Sequence, residues 1–343
     1  MKKEVSIELK SVNTGYRGKT STHVVAKDID AKIYRGELTC LLGANGAGKS
    51  TLLHTIAGFI RKISGDIIIE GKHIEQHTNN SLARKLSVVL TEKCNLKNMT
   101  IEEMVAIGRS PYTGFWGIVK KGDKQIIDKA ITLVGIDHLR GRMIHTLSDG
   151  ERQKVMIAKA LAQETQIIFL DEPTAFLDYP SKIEVMQLLS RLSRQEGKTV
   201  FMSTHDLELS LQIADKVWLL KRDHPLIVGT PEDLALDGSL EQFFDNKGMF
   251  FDNSSGTYKV NANCTHKARI SGEGKAYYMA IKALIRNGVE STDNADENLH
   301  IHAEEAHTNG SKYLFTVSFG KQPSERATSI EQLIEIVNKH TNS

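Results

Sequence analysis

Cysteine is scarce in this chain of 343 residues. The three cysteines, Cys40, Cys94 and Cys264, lie far apart, and none stands in a C-x-x-C pair. This spacing indicates neither a disulfide framework nor a structural zinc site, and it is typical of proteins in a reducing compartment. Cys40 falls within an apolar run, where a cysteine most simply serves as a small core residue.

Long apolar segments are missing as well. No run approaches the roughly 18 apolar residues that a membrane-spanning helix needs. The first four residues, MKKE, lead into the alternating segment VSIEL and not into the apolar block of a secretory signal peptide. If the protein works at a membrane, we therefore expect another component to hold it there.

The chain also has little net charge. Its 44 lysines and arginines stand against 42 aspartates and glutamates, which gives a formal charge of +2 at pH 7. This balance gives no indication of a nucleic-acid partner. With 40% hydrophobic and 25% charged residues, the composition is that of an ordinary globular protein. The length suits one large domain with an addition, or two domains.

A glycine-rich motif at residues 43–51, GANGAGKST, is the most informative feature that is present. It matches G-x-x-x-x-G-K-[ST], the phosphate-binding loop, and it lies between an apolar strand and the start of a helix. This arrangement directs backbone N–H groups and a helix N-terminus at anionic phosphates. Lys49 is expected to reach the β- and γ-phosphates, and the Ser50 hydroxyl is expected to ligate Mg²⁺.

Hydrophobic periodicity predicts the strands around this motif. Residues 5–12 and 24–33 are predicted to form an antiparallel flap, with Tyr16 on a loop between them. Continuous apolar runs at 167–170 and 199–203 indicate buried strands of a parallel sheet. Both runs end at polar residues that suit a phosphate site.

Further motifs follow the phosphate loop in a fixed order. LSDGE at 147–151 is similar to the LSGGQ signature, with aspartate third and glutamate fifth. Asp171 and Glu172 end one apolar strand, AFLD at 175–178 looks like a D-loop, and His205 ends the next strand. Together these motifs resemble the ATP-binding subunit of an ABC transporter.

The resemblance covers roughly residues 4–235 and implies the fold. We expect an α/β P-loop NTPase core of ABC type at 1–235: a RecA-like sheet with an antiparallel flap and a helical signature subdomain at about 95–165. Residues 236–261 are predicted to connect this core to a small α+β domain at 262–343, whose role no motif assigns.

The resemblance also implies roles for single residues. Asp171 is expected to hold Mg²⁺ through water, Glu172 to act as the general base that orients the attacking water, and His205 to contact the γ-phosphate. Tyr16 resembles the aromatic residue that stacks on adenine. The residues predicted to bind ATP are Tyr16, Gly43, Asn45, Gly46, Gly48, Lys49, Ser50, Thr51, Thr91, Ser148, Gly150 and Asp178.

In this family the signature loop acts on the ATP of a second subunit. Ser148 is predicted to cap the helix that follows, and its hydroxyl and the helix N-terminus suit a γ-phosphate. The resemblance therefore implies a homodimer with head-to-tail ATP sites. Asp149 and Glu151 place two carboxylates near that phosphate, so we expect them to point away or to pair with a cation such as Arg152.

Position 91 departs from the family pattern. The strand at 86–90 should be followed by a glutamine that ligates Mg²⁺ and links ATP to the membrane subunit, but Thr91 and Glu92 stand there. Thr91 can hold this place through a water molecule, since Mg²⁺ readily keeps water ligands. Alternatively, Glu92 supplies the ligand. The predicted metal ligands are Ser50, Asp171 and Thr91.

Within the family, the chain resembles importer subunits for iron–siderophore, haem or cobalamin. The resemblance rests on IGRSPY at 107–112 and GTPEDL at 229–234. It implies an ATPase that powers uptake through a two-subunit membrane permease, with a substrate-binding protein taking part indirectly and no nucleic acid. The chain is then expected to lie peripherally on the cytoplasmic face of the inner membrane. The alternatives are the ATPase of a different transporter or a soluble ABC-type ATPase.

Two groups of side chains leave their roles open. Residues 109–117 are predicted to form a loop whose aromatic residues, Tyr112, Phe115 and Trp116, either line a docking cleft for the permease or pack in the core. His300 and His302 share one face of a predicted strand. They suggest a metal, but the incomplete ligand set favours a solvent-exposed strand.

Overall fold

The computed structural model describes residues 3–18, 21–91, 98–114, 117–244, 249–252, 257–260, 262–292, 298–308 and 311–341. The chain divides into two compact units. The first comprises Met1–Asp245 and Phe251–Tyr258, and the second comprises Asn246–Phe250 and Lys259–Ser343.

The first unit contains strands and helices in mixed order. Its strands are β1 (Val5–Arg17), β2 (Thr22–Tyr34), β3 (Leu38–Leu42), β4 (Ser64–Ile69), β5 (Lys72–His73), β6 (Leu86–Val89), β7 (Ile167–Asp171), β8 (Thr199–Thr204), β9 (Lys216–Leu219) and β10 (Ile227–Gly229). Its helices are α1 (Lys49–Ile56), α2 (Asn79–Ala83), α3 (Ile101–Ala106), α4 (Ser110–Thr113), α5 (Lys121–Val134), α6 (Asp149–Ala162), α7 (Tyr179–Arg194), α8 (Leu207–Ile213), α9 (Pro231–Leu236) and α10 (Ser239–Phe244).

A six-stranded sheet forms the centre of this unit, in the order β10-β9-β3-β8-β7-β6. Five strands are parallel, and β10 pairs antiparallel to β9 at the edge. Every residue of β3, β7 and β8 is buried, as the continuous apolar runs predicted. Because parallel strands end at one edge of the sheet, the residues that follow β3, β6, β7 and β8 come together there.

Each face of the sheet has its own hydrophobic cluster. In β3, Cys40 and Leu42 belong to the cluster that α3, α5, α6 and α7 cover, whereas Leu41 belongs to the cluster shared with α1 and the flap. This alternation follows from the two-residue period of a strand. Burial raises the pKa of the Cys40 thiol to about 12, so this cysteine is an inert core residue.

The flap is a second, antiparallel sheet in the order β2-β1-β4-β5. The prediction that Tyr16 lies on a loop is wrong, because β1 continues to Arg17 and Tyr16 pairs with His23 of β2. The two strands approach closely at Gly15, where a Cβ atom would lie 2.0 Å from the His23 carbonyl oxygen. A glycine there lets the pairing continue past the point where the polarity pattern suggested a turn.

The helical part of the first unit begins with a capping box. The Thr100 hydroxyl accepts the Glu103 N–H, and the Glu103 carboxylate accepts the Thr100 N–H. The turn that follows α3 approaches α6 closely, since a Cβ on Gly108 would lie 2.1 Å from the Lys159 carbonyl oxygen. The predicted loop at 109–117 is wrong for its first half, because a 3₁₀ turn (Ile107–Arg109) continues into α4.

The segment after α9 packs on the core of the first unit. Leu240 of α10 is buried, and so is Phe251 on the next strand, β11 (Met249–Asp252). The strand β12 (Thr257–Val260) pairs with β11, and its Tyr258 hydroxyl donates a hydrogen bond of 2.6 Å to the Leu240 carbonyl. Leu240, Phe251 and Tyr258 therefore extend this core.

The second unit is an α+β fold. Its elements are β13 (His266–Gly272), α11 (Gly274–Arg286), β14 (Val289–Thr292), β15 (Leu299–Thr308), β16 (Ser311–Phe319), β17 (Glu325–Ala327) and α12 (Ile330–Thr341). The sheet order is β14-β13-β15-β16-β17, and α11 and α12 bury apolar side chains against it in a separate core. His302 contacts the Ser271 hydroxyl at 2.9 Å. Among the described residues, no group of three or more His, Cys, Asp or Glu side chains could hold a metal ion.

Helix length also bears on membrane insertion. Across the residues that the structure describes, no helix is both long enough and apolar enough to span a bilayer.

Candidate functional site

The phosphate loop joins β3 to α1 at the edge where the parallel strands end. Gly48 is the N-cap of α1 with φ +100°, and a Cβ there would lie 2.4 Å from Val25 Cγ1. Gly46 has φ +79° and no atom within 4 Å of a would-be Cβ. Glycine is therefore required at both positions by backbone conformation, and the open space beside Gly46 leaves the N–H groups of the loop accessible to an anion.

Lys49 lies beneath this loop with its ammonium group inside the site. It is 5% exposed, and its Nζ donates to the carbonyl oxygens of Gly43 at 2.9 Å and Ala44 at 3.3 Å. The same Nζ lies 3.5 Å from Glu172 Oε1. A buried cation whose neighbours are mostly neutral carbonyls suits a multiply charged phosphate group.

Asp171 ends β7 and is held by side chains from two other elements. Ser50 Oγ at the start of α1 donates to Asp171 Oδ1 at 2.9 Å, and Ser203 of β8 donates to the same oxygen. His54 Nε2 lies 3.5 Å from the other oxygen, Oδ2. The carboxylate is thus fixed beside a hydroxyl, and this pair of oxygen ligands is of the kind that Mg²⁺ prefers.

Sequence reasoning missed Ser203 and His54. Ser203 pairs directly with Asp171 in the register of β7 and β8, and it lies two residues before His205. His54 lies four residues after Ser50 on α1, which places both side chains on one helix face. The sequence signal for each residue was its distance from a motif residue, His205 for Ser203 and Ser50 for His54.

Glu172 and His205 face each other at the ends of β7 and β8. Glu172 has φ +45°, and its N–H donates to the Ser203 carbonyl at 3.1 Å and to Ser203 Oγ at 3.0 Å. Glu172 Oε2 lies 3.3 Å from His205 Nδ1. One carboxylate therefore lies between an ammonium group and an imidazole, each approaching a different oxygen.

A cleft in front of the loop collects most of the predicted nucleotide contacts. Tyr16 lies on its wall, 52% exposed, with its hydroxyl 3.2 Å from Thr51 Oγ1. His23 and Arg222 line the cleft without having been predicted. The predicted residues that line it are Tyr16, Asn45, Gly46, Gly48, Lys49, Ser50, Thr51 and Glu172.

The signature residues form a second group at the start of α6 and α7. Ser148 caps α6, as predicted, in a capping box with Glu151. Gly150 lies against α7, since a Cβ there would be 2.8 Å from Ser181 Oγ. Asp178 caps α7, and hydrogen bonds from the Ser181 hydroxyl and N–H hold the pKa of its carboxyl below the usual range. None of the described residues Ser148, Gly150 and Asp178 lines the cleft of this chain.

The two acidic residues of the signature are paired within their own helix. Arg152 Nη1 donates to Asp149 Oδ1 at 3.0 Å, as the sequence suggested. Glu151 accepts the Ser148 N–H at 2.8 Å, and this bond contributes most to the lowered pKa of its carboxyl. Both carboxylates are therefore partly neutralised by local donors.

An ion pair connects α7 to the loop that follows β8. Lys182 Nζ in the first turn of α7 lies 3.1 Å from Asp206 Oδ2, with the two side chains 24% and 15% exposed. Asp206 follows His205 directly and caps α8. The start of α7 and the loop that carries His205 are thus joined by one partly buried ion pair.

Thr91 lies where the sequence placed it, at the end of β6 beside the metal-binding candidates. Its Oγ1 donates to the Asp171 carbonyl oxygen at 2.7 Å. In this bond the hydroxyl acts only as a donor. Its oxygen can therefore still accept a hydrogen bond from water. Glu92, the alternative, lies outside the described residues.

Tyr112 packs against the helical part of the first unit. Its ring centre lies 4.2 Å from the guanidinium carbon of Arg109 and 4.8 Å from that of Arg84, and its hydroxyl donates to the Gln163 carbonyl. These contacts favour packing over docking for this residue. Phe115 and Trp116 lie outside the described residues.

Comparison with known families gives two matches along the chain. Residues 26–175 match the family model described as ABC transporter. Residues 265–338 match a second model, described as the iron ABC transporter C-terminal domain. The first match contains the phosphate loop, the signature and the Asp171–Glu172 pair, and the second lies within the second unit.

Individual proteins agree with these matches. An uncharacterized ABC transporter ATP-binding protein of Methanocaldococcus jannaschii is 39% identical over 257 residues, which are 75% of this chain and 87% of the relative. The petrobactin import ATP-binding protein FpuC of Bacillus anthracis is 34% identical over 218 residues, 64% of this chain and 80% of the relative. The solved dimeric cassette MJ0796 is 25% identical, with a TM-score of 0.56 over 64% of this chain and 97% of that one.

These matches confirm the expected fold, a P-loop NTPase core of ABC type with a C-terminal α+β addition. The chain belongs to the ATP-binding proteins of ABC transporters, and it is an ATPase.

Proposed function

We propose that this chain is the ATP-hydrolysing subunit of an importer that carries an iron complex, such as a ferric siderophore or haem, or cobalamin through a membrane permease. The observation that carries the proposal is the joint match of both units, the first to ABC transporters and the second to the iron ABC transporter C-terminal domain. The siderophore named for the FpuC relative supports the same cargo class.

The geometry supports a division of roles among the residues around Glu172. Its carboxylate is the proposed general base, which takes a proton from the attacking water. His205, 3.3 Å from Glu172 Oε2, is proposed to orient that water and to contact the γ-phosphate. Lys49 is proposed to neutralise the β- and γ-phosphates, because its ammonium group is already directed into the loop. These are positioning and electrostatic roles, as phosphoryl transfer requires.

A magnesium ion fits the residues that the structure places beside the loop. Ser50 Oγ and the Asp171 carboxylate are hard oxygen ligands 2.9 Å apart. We propose that Ser50 ligates the ion directly, that Asp171 holds it through water, and that Thr91 contributes through a water molecule. When bound, the ion neutralises negative charge on the phosphate oxygens.

A homodimer is proposed because the signature residues do not line the cleft of their own chain. Ser148 and Gly150 at the N-terminus of α6 would then approach the γ-phosphate held by the partner chain, and Asp178 would lie near the same boundary. The dimeric form of the MJ0796 cassette supports this arrangement.

Adenine stacking is proposed for Tyr16, whose ring is half exposed in the cleft.

The remaining assignments follow from the proposed transport role. Residues 1–235 would bind and hydrolyse ATP, with the helical subdomain at about 95–165, and 262–343 would be an accessory domain after a connecting segment. The chain would lie at the cytoplasmic face of the cell membrane, attached to a two-subunit permease. A substrate-binding protein would act on the far side and would contact the permease alone. We expect no nucleic-acid partner.

The decisive test of the site uses Glu172→Gln. This variant should keep ATP affinity and lose hydrolysis, because the amide cannot take the proton from water. With ATP and Mg²⁺, a dimer should accumulate in size-exclusion chromatography. The matched control is Glu232→Gln, the same change on the exposed first turn of α9, which should hydrolyse ATP as the unmodified chain does. A Glu172→Gln chain that hydrolyses ATP normally would refute the assignment of the base.

The cargo is tested by uptake in cells that lack this chain. Such cells should lose uptake of ferric siderophore, haem or cobalamin, each supplied in labelled form. The unmodified chain should restore uptake, and the Glu172→Gln chain should not. Unchanged uptake of all three compounds would disprove the proposed cargo class while leaving the ATPase assignment intact.

A further inference from the structure

His54 has a side-chain nitrogen that is buried without a hydrogen-bond partner. Its Nε2 atom forms no hydrogen bond with any of the described residues, although it lies 3.5 Å from Asp171 Oδ2. This distance exceeds the usual N–H···O range of about 2.7–3.2 Å by only a few tenths of an ångström. An unpaired buried nitrogen costs free energy, so a small movement that closes this bond is favourable.

The Asp171 carboxylate is held unequally at its two oxygens. Oδ1 accepts hydrogen bonds from two hydroxyls, those of Ser50 on α1 and Ser203 on β8. Across the part of the chain that the structure describes, His54 is the only donor group that approaches Oδ2. A carboxylate bound through one oxygen keeps more rotational freedom than one bound through both. The donor at Oδ2 therefore determines how firmly the plane of this carboxylate is fixed.

Neighbouring residues restrict the position of the His54 imidazole. His54 lies four residues after Ser50, so both side chains lie on one face of α1. The Phe59 ring lies against the imidazole, with the two ring centres 6.0 Å apart. The Phe59 N–H also donates to the His54 carbonyl at 2.9 Å, which binds the turn after α1 to the same residue. These contacts limit the movement of the imidazole beside Asp171.

We propose that His54 is a positioning residue of the magnesium site, which donates through Nε2 to Asp171 Oδ2 and fixes the plane of that carboxylate. The inference rests on the proposed function, in which Ser50 ligates the ion directly and Asp171 holds it through water. Groups that hydrogen-bond to the ligands of a metal orient those ligands, and their loss typically lowers metal affinity about 10–100-fold. Helix α1 would then supply a ligand through Ser50 and orient the carboxylate through His54.

A second histidine shows why the neighbouring carboxylate matters. The Nε2 atom of His77 is also buried without a hydrogen-bond partner among the described residues. Its Nδ1 atom lies 3.3 Å from Ser81 Oγ, in the segment that leads into α2 and away from the phosphate loop. An unpaired nitrogen alone therefore indicates no function. His54 differs because its unpaired nitrogen lies beside the carboxylate that is proposed to hold the ion.

The test is the magnesium dependence of nucleotide binding, measured by calorimetry with adenylyl imidodiphosphate, a non-hydrolysable ATP analogue. His54→Leu should raise the Mg²⁺ concentration for half-maximal binding about tenfold, with the affinity for the analogue in EDTA unchanged. His54→Gln should behave as the unmodified chain does, because its amide nitrogen reaches about as far as Nε2. His54→Asn should resemble the leucine variant, because its shorter amide reaches only the position of Nδ1. Circular dichroism checks that each variant keeps its fold.

The matched control is His77→Leu, the same change at the other histidine with an unpaired nitrogen, which should leave the magnesium dependence unchanged. An unaltered magnesium dependence in His54→Leu would overturn the proposal. So would an equal loss of affinity in EDTA, which would make the imidazole a support of the phosphate loop alone, or a glutamine variant as weak as the leucine variant. If the unmodified chain binds the analogue equally well in Mg²⁺ and in EDTA, the proposed magnesium site fails together with this inference.

Discussion

Glu172, the proposed general base, has an uncommon backbone conformation. A non-glycine residue at φ +45° costs on the order of 1 kcal/mol or more, and such conformations persist where the surrounding structure holds them. Here the two hydrogen bonds from the Glu172 N–H to Ser203 and the bond from the Ala175 N–H to the Glu172 carbonyl do so. The chain bends sharply there, and the carboxylate points toward Lys49 and His205.

The positions of these residues at the ends of strands were predictable, but their local geometry was not. Asp171, Glu172 and His205 follow apolar runs that mark the ends of buried strands, which a sequence can show. The bond from Ser203 to Asp171 depends on the register between β7 and β8, which is set by the whole sheet. Tyr16 illustrates the same limit, because its place on β1 depends on the partner strand β2.

Thr91 provides a test at the scale of one hydroxyl group. Thr91→Val keeps the shape of the side chain and removes the donor to the Asp171 carbonyl, a bond of about 1 kcal/mol. We expect hydrolysis to fall severalfold, with ATP affinity unchanged and a higher Mg²⁺ concentration needed for half-maximal activity. Thr91→Ser keeps the hydroxyl and serves as the control. Identical Mg²⁺ titrations for the valine and serine variants would count against a role for this hydroxyl.

Among the elements, the helical part of the first unit depends on one buried arginine. Arg109 is 4% exposed, and its guanidinium bonds to Asp123, the Ala162 carbonyl and Glu164. It thereby ties the end of α3 to α5 and to the end of α6. The sequence showed the IGRSPY motif but not this set of partners, because they come from residues up to 55 positions away.

Removing this arginine tests the network. Arg109→Met leaves the buried Asp123 carboxylate without its charged partner, with the Lys120 N–H still bound to it, and we expect a loss of about 3 kcal/mol in the free energy of unfolding. Arg140→Met is the control, because Arg140 pairs with exposed Asp128 and Asp137 and should cost at most about 1 kcal/mol. Urea unfolding followed by circular dichroism measures both. Equal losses in the two variants would show that the buried network stabilises the fold no more than an exposed ion pair does.

The same network predicts a pH dependence. The Lys120 N–H and then the Arg109 guanidinium hold the pKa of the Asp123 carboxyl below its usual range. A lowered pKa means that this stabilisation is complete above the ordinary aspartate pKa of about 3.9 and is lost as the pH falls through the lowered value. The stability difference between the unmodified chain and Asp123→Asn should therefore shrink only in that acidic range. A difference that already disappears near pH 6 would contradict this account.

At the scale of the whole molecule, the position of the boundary between the two units can be tested by truncation. A chain ending at residue 260 keeps Leu240 and Phe251 in the first core, whereas a chain ending at 236 loses both. Burying one such side chain contributes about 1.5–3 kcal/mol, so the shorter chain should melt at a distinctly lower temperature. The longer chain should retain ATP binding. Equal melting temperatures would mean that residues 237–260 add nothing to the first core.

The sequence predicted two domains joined by a connecting segment at 236–261, whose aromatic residues could pack on the core. Short segments with scattered aromatic residues carry no clear period, so their packing partners cannot be read from the pattern. Leu240 and Phe251 are buried because they join the large hydrophobic cluster of the first unit, whose other members come from distant parts of the chain. The large parallel sheet was predictable because its runs are long and continuous.

The ion pair between Lys182 and Asp206 has a mechanical consequence. It links the first turn of α7, which directly follows the AFLD segment, to the loop that carries His205. A displacement of that segment would reach the loop of His205 through this ion pair, in addition to the packing of α7 on α8 and β8. In the proposed dimer, the position of His205 would then respond to the arrival of the partner chain at the AFLD segment.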